Sequence, residues 1–203
     1  MNWYAHSSKF LKPFYPSLIW NIQTEAKTVY LTFDDGPNPT ATNYVLSILE
    51  SYGFTATFFC IGDNVVKHPE TYALVIDKGH AVGNHTFNHL NGFAHTEDAY
   101  LSNTKIASEC IDSELFRPPY GRIKKSQITA LSSDFNIIMW SCLSGDFDAN
   151  LDTSRALKKL QKLTKPGAIV VFHDSLKALE NLKILLPAYC EYLVKNGFQS
   201  CKL

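Results

Sequence analysis

The sequence has no Cys-x-x-Cys pair, and its five cysteines (Cys60, Cys110, Cys142, Cys190 and Cys201) are odd in number and widely scattered. Neither a disulfide framework nor a thiolate metal site fits that distribution, which leaves free and mostly buried thiols. Charge of one sign is not in excess either, since 19 Lys and Arg balance 19 Asp and Glu. No net field draws the chain to nucleic acid or to anionic lipid. Long apolar runs are missing, and no stretch reaches the roughly 20 residues of a transmembrane helix. Residues 1–26 are rich in aromatics, among them Phe10, Phe14, Tyr15 and Trp20, but Pro13 and Pro16 interrupt them before a signal-peptide core develops. The default compartment is the cytoplasm, although a non-standard export route would leave no trace in the sequence. Repeats, low-complexity tracts and linkers are also absent. What remains is a chain of 203 residues, 45% hydrophobic and 19% charged, long enough for one sizeable core and short for two. The expected organisation is a single domain over residues 27–203, with residues 1–26 packed across it as an arm. Nothing in the sequence fixes an oligomeric state.

Strand-like and helical patterns alternate along the chain. Residues 28–33 are β-branched and aromatic, the composition of a buried strand. The following stretch, 40–52, spaces Val45, Ile48, Leu49 and Tyr52 for a helix, with Thr40 as its N-cap and Gly53 as its stop. Further strands are expected at 56–61, 81–83, 135–140 and 168–172, with a short strand end at 116–121 forced into an extended path by Pro118 and Pro119. Further helices are expected at 69–78, 96–111, 125–132, 152–163 and 177–195, the last kinked at Pro187. Such repetition with short loops implies a parallel sheet covered by helices, most economically a closed or nearly closed (β/α) barrel.

Chemistry-bearing residues gather where these strands end. The first strand stops in Asp34-Asp35-Gly36-Pro37. Two adjacent carboxylates repel, and a cation beside each, a metal on one and an arginine on the other, would relieve them. An isolated Asp-Asp-Gly is ordinarily a solvated turn, so the rest of the chain has to supply the context. His85 and His89 follow the third strand at a spacing of i, i+4, which on a helical turn aims both imidazoles to one side, as two metal ligands require. Core or surface histidines share that spacing. Arg117 stands at a strand end stiffened by Pro118 and Pro119, within plausible reach of Asp34, where it would hold that acid ionised. Asp146 follows the fifth strand. His173 closes the last one, in the run Val171-Phe172-His173-Asp174, and with a carboxylate to orient it has the makings of a general acid. His6, His68, His80 and His95 have no partner at useful spacing and read as solvent-facing or structural.

In order, Thr32-Phe33-Asp34-Asp35-Gly36-Pro37, His85-Thr86-Phe87-Asn88-His89, Arg117-Pro118-Pro119-Tyr120-Gly121 and Phe172-His173-Asp174 resemble the motifs of the polysaccharide deacetylase family, the NodB-homology domain of carbohydrate esterase family four. The resemblance runs from about Lys27 to Leu203. It implies an α/β fold in the form of a distorted or incomplete (β/α) barrel, and a metal-dependent amide hydrolase. The implied partner is an N-acetylated glycan of peptidoglycan or chitin type, cleaved to glucosamine units and acetate, with the cell envelope as a possible place of action. By the same resemblance Asp35, His85 and His89 are the metal ligands, Asp34 the catalytic base and His173 the catalytic acid. Arg117 orients Asp34, Asp146 tunes His173, and Thr86 braces the histidine loop. The Tyr120 backbone N–H helps bind the oxyanion, and Phe147, Trp140 and Val171 fall on the substrate side. Zinc suits a site of two histidines and a carboxylate, and cobalt or nickel could also fill it.

Two departures from the family pattern stand out. Many members carry an Asp three residues past the tryptophan and a Trp directly after the second Asp, where this chain has Leu143 and Phe147. Both bear on the acetyl pocket, and neither removes a ligand or a proton-transfer group. Asp148 is a second acid near His173. Two other readings stay open on this evidence: an amidase of the same fold acting on a small molecule or a cyclic imide, and a catalytically silent carbohydrate-binding barrel.

Overall fold

The computed structural model describes residues 12–203. Phe10, Leu11 and His6 lie outside the described residues. Eight parallel strands form one sheet: β1 (Thr28–Asp34), β2 (Thr57–Cys60), β3 (Ala81–Asn84), β4 (Leu115–Phe116), β5 (Asn136–Ile137), β6 (Cys142–Leu143), β7 (Ile169–His173) and β8 (Gln199–Ser200). Their order is β5-β4-β3-β2-β1-β7-β6, with β8 added to the start of β1. The helices are α1 (Pro39–Tyr52), α2 (Gly62–Lys67), α3 (Pro69–Asp77), α4 (Glu97–Ser108), α5 (Lys125–Leu131), α6 (Thr153–Leu163) and α7 (Leu179–Lys195). The sheet curls without pairing its two edge strands, so the barrel is incomplete. No helix of the described residues is long and apolar enough to cross a membrane.

Strand alternation decides what faces where. In β1, Val29, Leu31 and Phe33 join the core under the helices, and Val170 and Phe172 of β7 do the same. The intervening Thr32 and Asp34, with Val171 and His173, share the opposite face of the sheet. The parallel register of β1 and β7 sets Thr32 against Val171 and Asp34 against His173.

Local chemistry moves several expected boundaries. Helix α1 is capped by Asn38 and not Thr40, because the Asn38 side chain accepts the N–H groups of both Thr40 and Ala41 while Pro39 needs no acceptor. Gly53 closes it in the left-handed region at φ 64°. Of the strand expected over 135–140 only Asn136–Ile137 forms β5, and β6 lies beyond that range at Cys142–Leu143. Between them Ile138 bonds back to Phe116 while Ser141 has already crossed to Ile169 of β7.

The crossing leaves a seam at the open side of the barrel, where the N-terminal segment lies. Ile19 bridges Ile138 in parallel and Asn21 bridges Ala168 in antiparallel fashion, with Leu18 and Trp20 buried beneath. The Ile22 N–H donates to the Gly167 carbonyl. All five cysteines are free, and Cys60, Cys142 and Cys190 are buried.

Gly167 is required twice over at this seam. Its φ is 78°, and a Cβ there would meet the Ile22 carbonyl oxygen at 1.7 Å. Gly167→Ala is therefore expected to lower stability by about 2 to 4 kcal/mol by displacing the N-terminal segment. Urea unfolding followed by tryptophan emission checks this, and an unchanged midpoint would remove the seam from the account of stability.

Candidate active site

Arg117 is fully buried at the centre of the site. It follows β4, whose two residues end against Pro118, and its backbone N–H donates to the Asn84 carbonyl of β3. The guanidinium lies 4.0 Å from the centroid of the Phe59 ring. Its Nη1 donates to Asp34 Oδ1 and to Thr32 Oγ1, each at 2.7 Å. Its remaining donors reach the carbonyls of Ile138 and Met139 at 3.3 and 3.2 Å. Thr32 in turn donates its hydroxyl proton to the Val170 carbonyl of β7. Burial pushes the Arg117 guanidinium down from its ordinary pKa, against the Asp34 charge, and the surrounding acceptors keep its donors satisfied. Among the described residues Asp34 Oδ2 accepts no hydrogen bond.

Asp35, the next residue, turns the other way because its backbone is left-handed, φ 81°. The ligand atoms of Asp35, His85 and His89 all lie within 4.8 Å of one another. Asp35 Oδ1 stands 3.2 Å from His89 Nε2 and 3.8 Å from His85 Nε2. Burial raises the Asp35 pKa, but the hydrogen bond from His89 and the nearby imidazoles outweigh it and hold the carboxyl well below its usual range. The Nδ1 of His85 lies 2.7 Å from the Arg117 carbonyl, which can only accept, so Nδ1 carries the hydrogen and Nε2 offers its lone pair. Burial lowers the His85 pKa to about 4 and keeps the ring neutral. One carboxylate and two imidazoles, His85 among them with its Nε2 lone pair free, are the donor types of a divalent cation with open coordination positions, and they fit one.

The two histidines do not sit on a helical turn. Thr86 and His89 are both left-handed, at φ 62° and 55°, and residues 85–91 form an irregular loop. Side chains take the place of helical acceptors: Asn84 accepts the Thr86 N–H, Asn103 of α4 accepts those of Phe87 and Asn88, and Thr86 Oγ1 accepts that of Leu90. The i, i+4 spacing delivers convergence, with ring centroids 5.1 Å apart, by a different backbone path.

His173 ends β7 with its Nδ1 2.7 Å from Asp146 Oδ1, and its backbone N–H donates to Asp146 Oδ2 at 2.8 Å. Ser144 and the buried setting hold Asp146, while Asp148 caps the Asn150 N–H and does not reach the histidine. Burial opposes protonation of His173, but the Asp146 charge and hydrogen bond, helped by Asp35 and Asp34, raise its pKa to about 9. Phe147 stands edge-on to the His173 ring at 5.0 Å. Tyr120 is left-handed, φ 61°, and its exposed ring lies 4.6 Å from that of His89. Trp140 is half-buried, 6.0 Å from the Arg117 guanidinium, and packs against Gly121. Val171 is buried in β7 below His173.

Sequence reasoning missed Asp174. It does not touch His173 but faces the Asp34-Asp35 turn, where it accepts the Gly36 N–H at 3.0 Å and the Thr42 hydroxyl at 2.5 Å. Its own N–H donates to the Asp34 carbonyl. A Cβ on Gly36 would stand 2.1 Å from this carboxylate, so only glycine fits. Burial raises the Asp174 pKa to about 8 against these hydrogen bonds. The adjacency of His173 and Asp174 suggested an acid, but nothing in the sequence shows which way it points. Of the remaining histidines, His80 accepts the Ala56 N–H and His95 bonds its own loop.

A sequence model of the family described as polysaccharide deacetylase matches residues 21–134. The chain is 32% identical over 196 residues to a peptidoglycan-N-acetylglucosamine deacetylase of Bacillus cereus (strain ATCC 14579), covering 89% of this chain and 88% of that protein. It is 36% identical over 157 residues to a chitooligosaccharide deacetylase of Bradyrhizobium sp. (strain ANU 289), covering 73% and 71%. A crystal structure of a peptidoglycan N-acetylglucosamine deacetylase in complex with 4-naphthalen-1-yl-N-oxidanyl-benzamide matches with a TM-score of 0.86 at 26% identity, over 96% of this chain and 94% of that one.

Loss of the carboxylate charge in Asp146→Asn is expected to bring the His173 pKa from about 9 to its ordinary 6.5 or below, since burial remains. The wild-type value lies above the ordinary one, so this pair stabilises the fold fully below about pH 6.5 and loses its contribution as pH rises toward 9. Imidazole NMR titration of the two proteins checks the shift, and identical curves would detach His173 from Asp146.

Proposed function

The chain belongs to the polysaccharide deacetylase family, and on that premise we propose that it hydrolyses the N-acetyl amide of N-acetylglucosamine units in a glycan, releasing acetate. The observation that carries this reading is the β1 to β7 register, which sets Asp34 and His173 side by side at the strand ends, next to the cluster of Asp35, His85 and His89. Those three residues would hold a divalent cation, with zinc best suited to the donor set and cobalt or nickel as alternatives. When bound, such an ion supplies Lewis acidity toward a carbonyl oxygen and lowers the pKa of water.

The protein groups divide the proton work. Arg117 occupies one oxygen of Asp34 and fixes the carboxylate, so that Oδ2 is turned to take a proton from the water attacking the acetyl carbon. The Tyr120 N–H, presented by its left-handed backbone, is assigned to the developing oxyanion. His173, held by Asp146 through Nδ1, gives its Nε2 proton to the amide nitrogen as the carbon–nitrogen bond breaks. Acetate and a free amine result. Trp140, Phe147 and Val171 are assigned to the walls beside the acyl group.

A catalytically silent binding barrel has no use for separate proton acceptor and donor positions. An amidase for a small molecule or cyclic imide draws support from Leu143 and from Phe147, whose ring stands against His173, where many family members carry Asp and Trp. Relatives named for peptidoglycan and for chitooligosaccharide supply the substrates to try.

Acetate release from peptidoglycan, chitin oligomers and small N-acetyl compounds tests the proposal. Asp34→Asn and His173→Ala are each expected to lower kcat by about two to four orders of magnitude while leaving bound metal unchanged. His85→Ala should lose the metal itself, read by elemental analysis, and chelation should silence the wild type. Near-full turnover by Asp34→Asn would overturn the base assignment.

A further inference from the structure

Helix α6 separates its faces cleanly. It buries Ala156 and Leu160 and packs Leu157 and Leu163 against the core. Arg155, Lys158, Lys159 and Lys162, at spacings of i, i+3, i+4 and i+7, share the other face, and Lys165 follows just beyond the helix end. Five of the 19 cations thus stand within 11 consecutive residues of a chain with zero net charge. Asp152, the one acid of this stretch, caps the helix at the Arg155 N–H and lies 3.8 Å from Arg155 Nε. On the neighbouring α7, Glu180 is paired with Lys183. The four lysines of the stripe form no ion pair among the described residues.

A cationic helix face in isolation is ordinarily just solvated. This one is continuous with the catalytic mouth. Arg155 and Lys159, with Asp148 and Asp152 beside them, line a cavity of about 220 Å³ that also includes Leu143 and Phe147, and Phe147 stands against His173, so the unpaired cations of the face are those farther along the helix. On the far side of that ring, Lys177 Nζ lies 5.9 Å from the Phe147 centroid. Because α6 descends from the loop after β6 to the start of β7, the stripe begins at the mouth and runs down the outer wall.

We infer that this face is an exosite for carboxylates carried by the glycan itself, so that the strand engaged at the mouth is an acidic one. The inference rests on the deacetylase reading and deepens it, separating a carboxylate-bearing N-acetylated glycan from a neutral one of chitin type. Each ammonium–carboxylate contact is weak and screened by salt, but several along one tethered strand act together. Arg155 and Lys177, nearest the mouth, set the register, and Lys158, Lys162 and Lys165 hold the strand beyond it.

The test uses peptidoglycan sacculi, the same sacculi with their carboxylates amidated, and chitin, comparing wild type with the double variant Lys158→Glu, Lys162→Glu. Both lysines are exposed and far from the ligand cluster, and an unchanged melting curve verifies the fold. Co-sedimentation with native sacculi is expected to weaken at least about fivefold in the variant, at high salt, and on amidation. Sedimentation with chitin should change by less than about twofold. Equal binding of variant and wild type to native sacculi, or equal wild-type binding to native and amidated sacculi, overturns the exosite. So does displacement by a soluble polyphosphate but not by a soluble polycarboxylate. Acetate release from the same three materials separates the two readings: no acetate from any of them sinks the deacetylase proposal, while the sedimentation pattern still decides the exosite.

Discussion

The buried ion pair between Arg117 and Asp34 is the constraint on which the remaining geometry depends. A guanidinium out of water needs acceptors, and here each of its three nitrogens finds one, in Thr32 and Asp34 of β1 and in the carbonyls that follow β5. Removing either partner would leave an unpaired charge in the interior, a loss of about 3 to 5 kcal/mol in comparable cases. The Arg117 carbonyl also sets the tautomer of His85. One residue therefore orients the proposed base with its side chain and a proposed ligand histidine with its backbone.

Around that pair the protein concentrates backbone strain. Asp35, Thr86, His89 and Tyr120 are the four non-glycine residues with positive φ among the described residues, and all four fall in the segments that follow β1, β3 and β4. Each such conformation costs on the order of 1 kcal/mol or more, and it persists only where surrounding contacts overdetermine it. Asp174, Asn84 and Asn103 supply those contacts, as acceptors for backbone N–H groups that helices or strands would otherwise satisfy.

These supports explain what the sequence could and could not tell. The alternation of β1, α1, β2 and α3 was legible because their apolar periodicities are long enough to count. The two-residue strands β4, β5 and β6 and the six-residue α2 are too short for an apolar pattern to repeat and owe their existence to neighbours. The residues of the mouth were legible by type and by their place at strand ends. Their backbone path was not, since His85 and His89 at helical spacing converge from a loop held by Asn103. Thr32, Thr42 and Asp174 escaped notice because buried threonines and an acid beside a histidine carry no local mark of what they bind. The arm expected over residues 1–26 was suggested by its aromatics; among the described residues Ile19 to Ile22 meet a seam between β5 and β7 that arises from the tertiary crossing after Ile138.

The position of β1 in the sheet has a consequence for the chain as it leaves the ribosome. One edge of β1 is satisfied early by β2 only along Thr32–Asp34, leaving Thr28 and Val29 for β8, and the other edge waits for β7, more than a hundred residues later. Asp35, His85, His89 and Arg117 all emerge before His173 does. A nascent polypeptide could then bring Asp35, His85 and His89 together while the flank of β1 is still an unpaired edge, open to wrong partners until β7 arrives to cover it. Synthesis of the last strands would in that way serve both as the end of vulnerability and as the moment at which chemistry becomes possible.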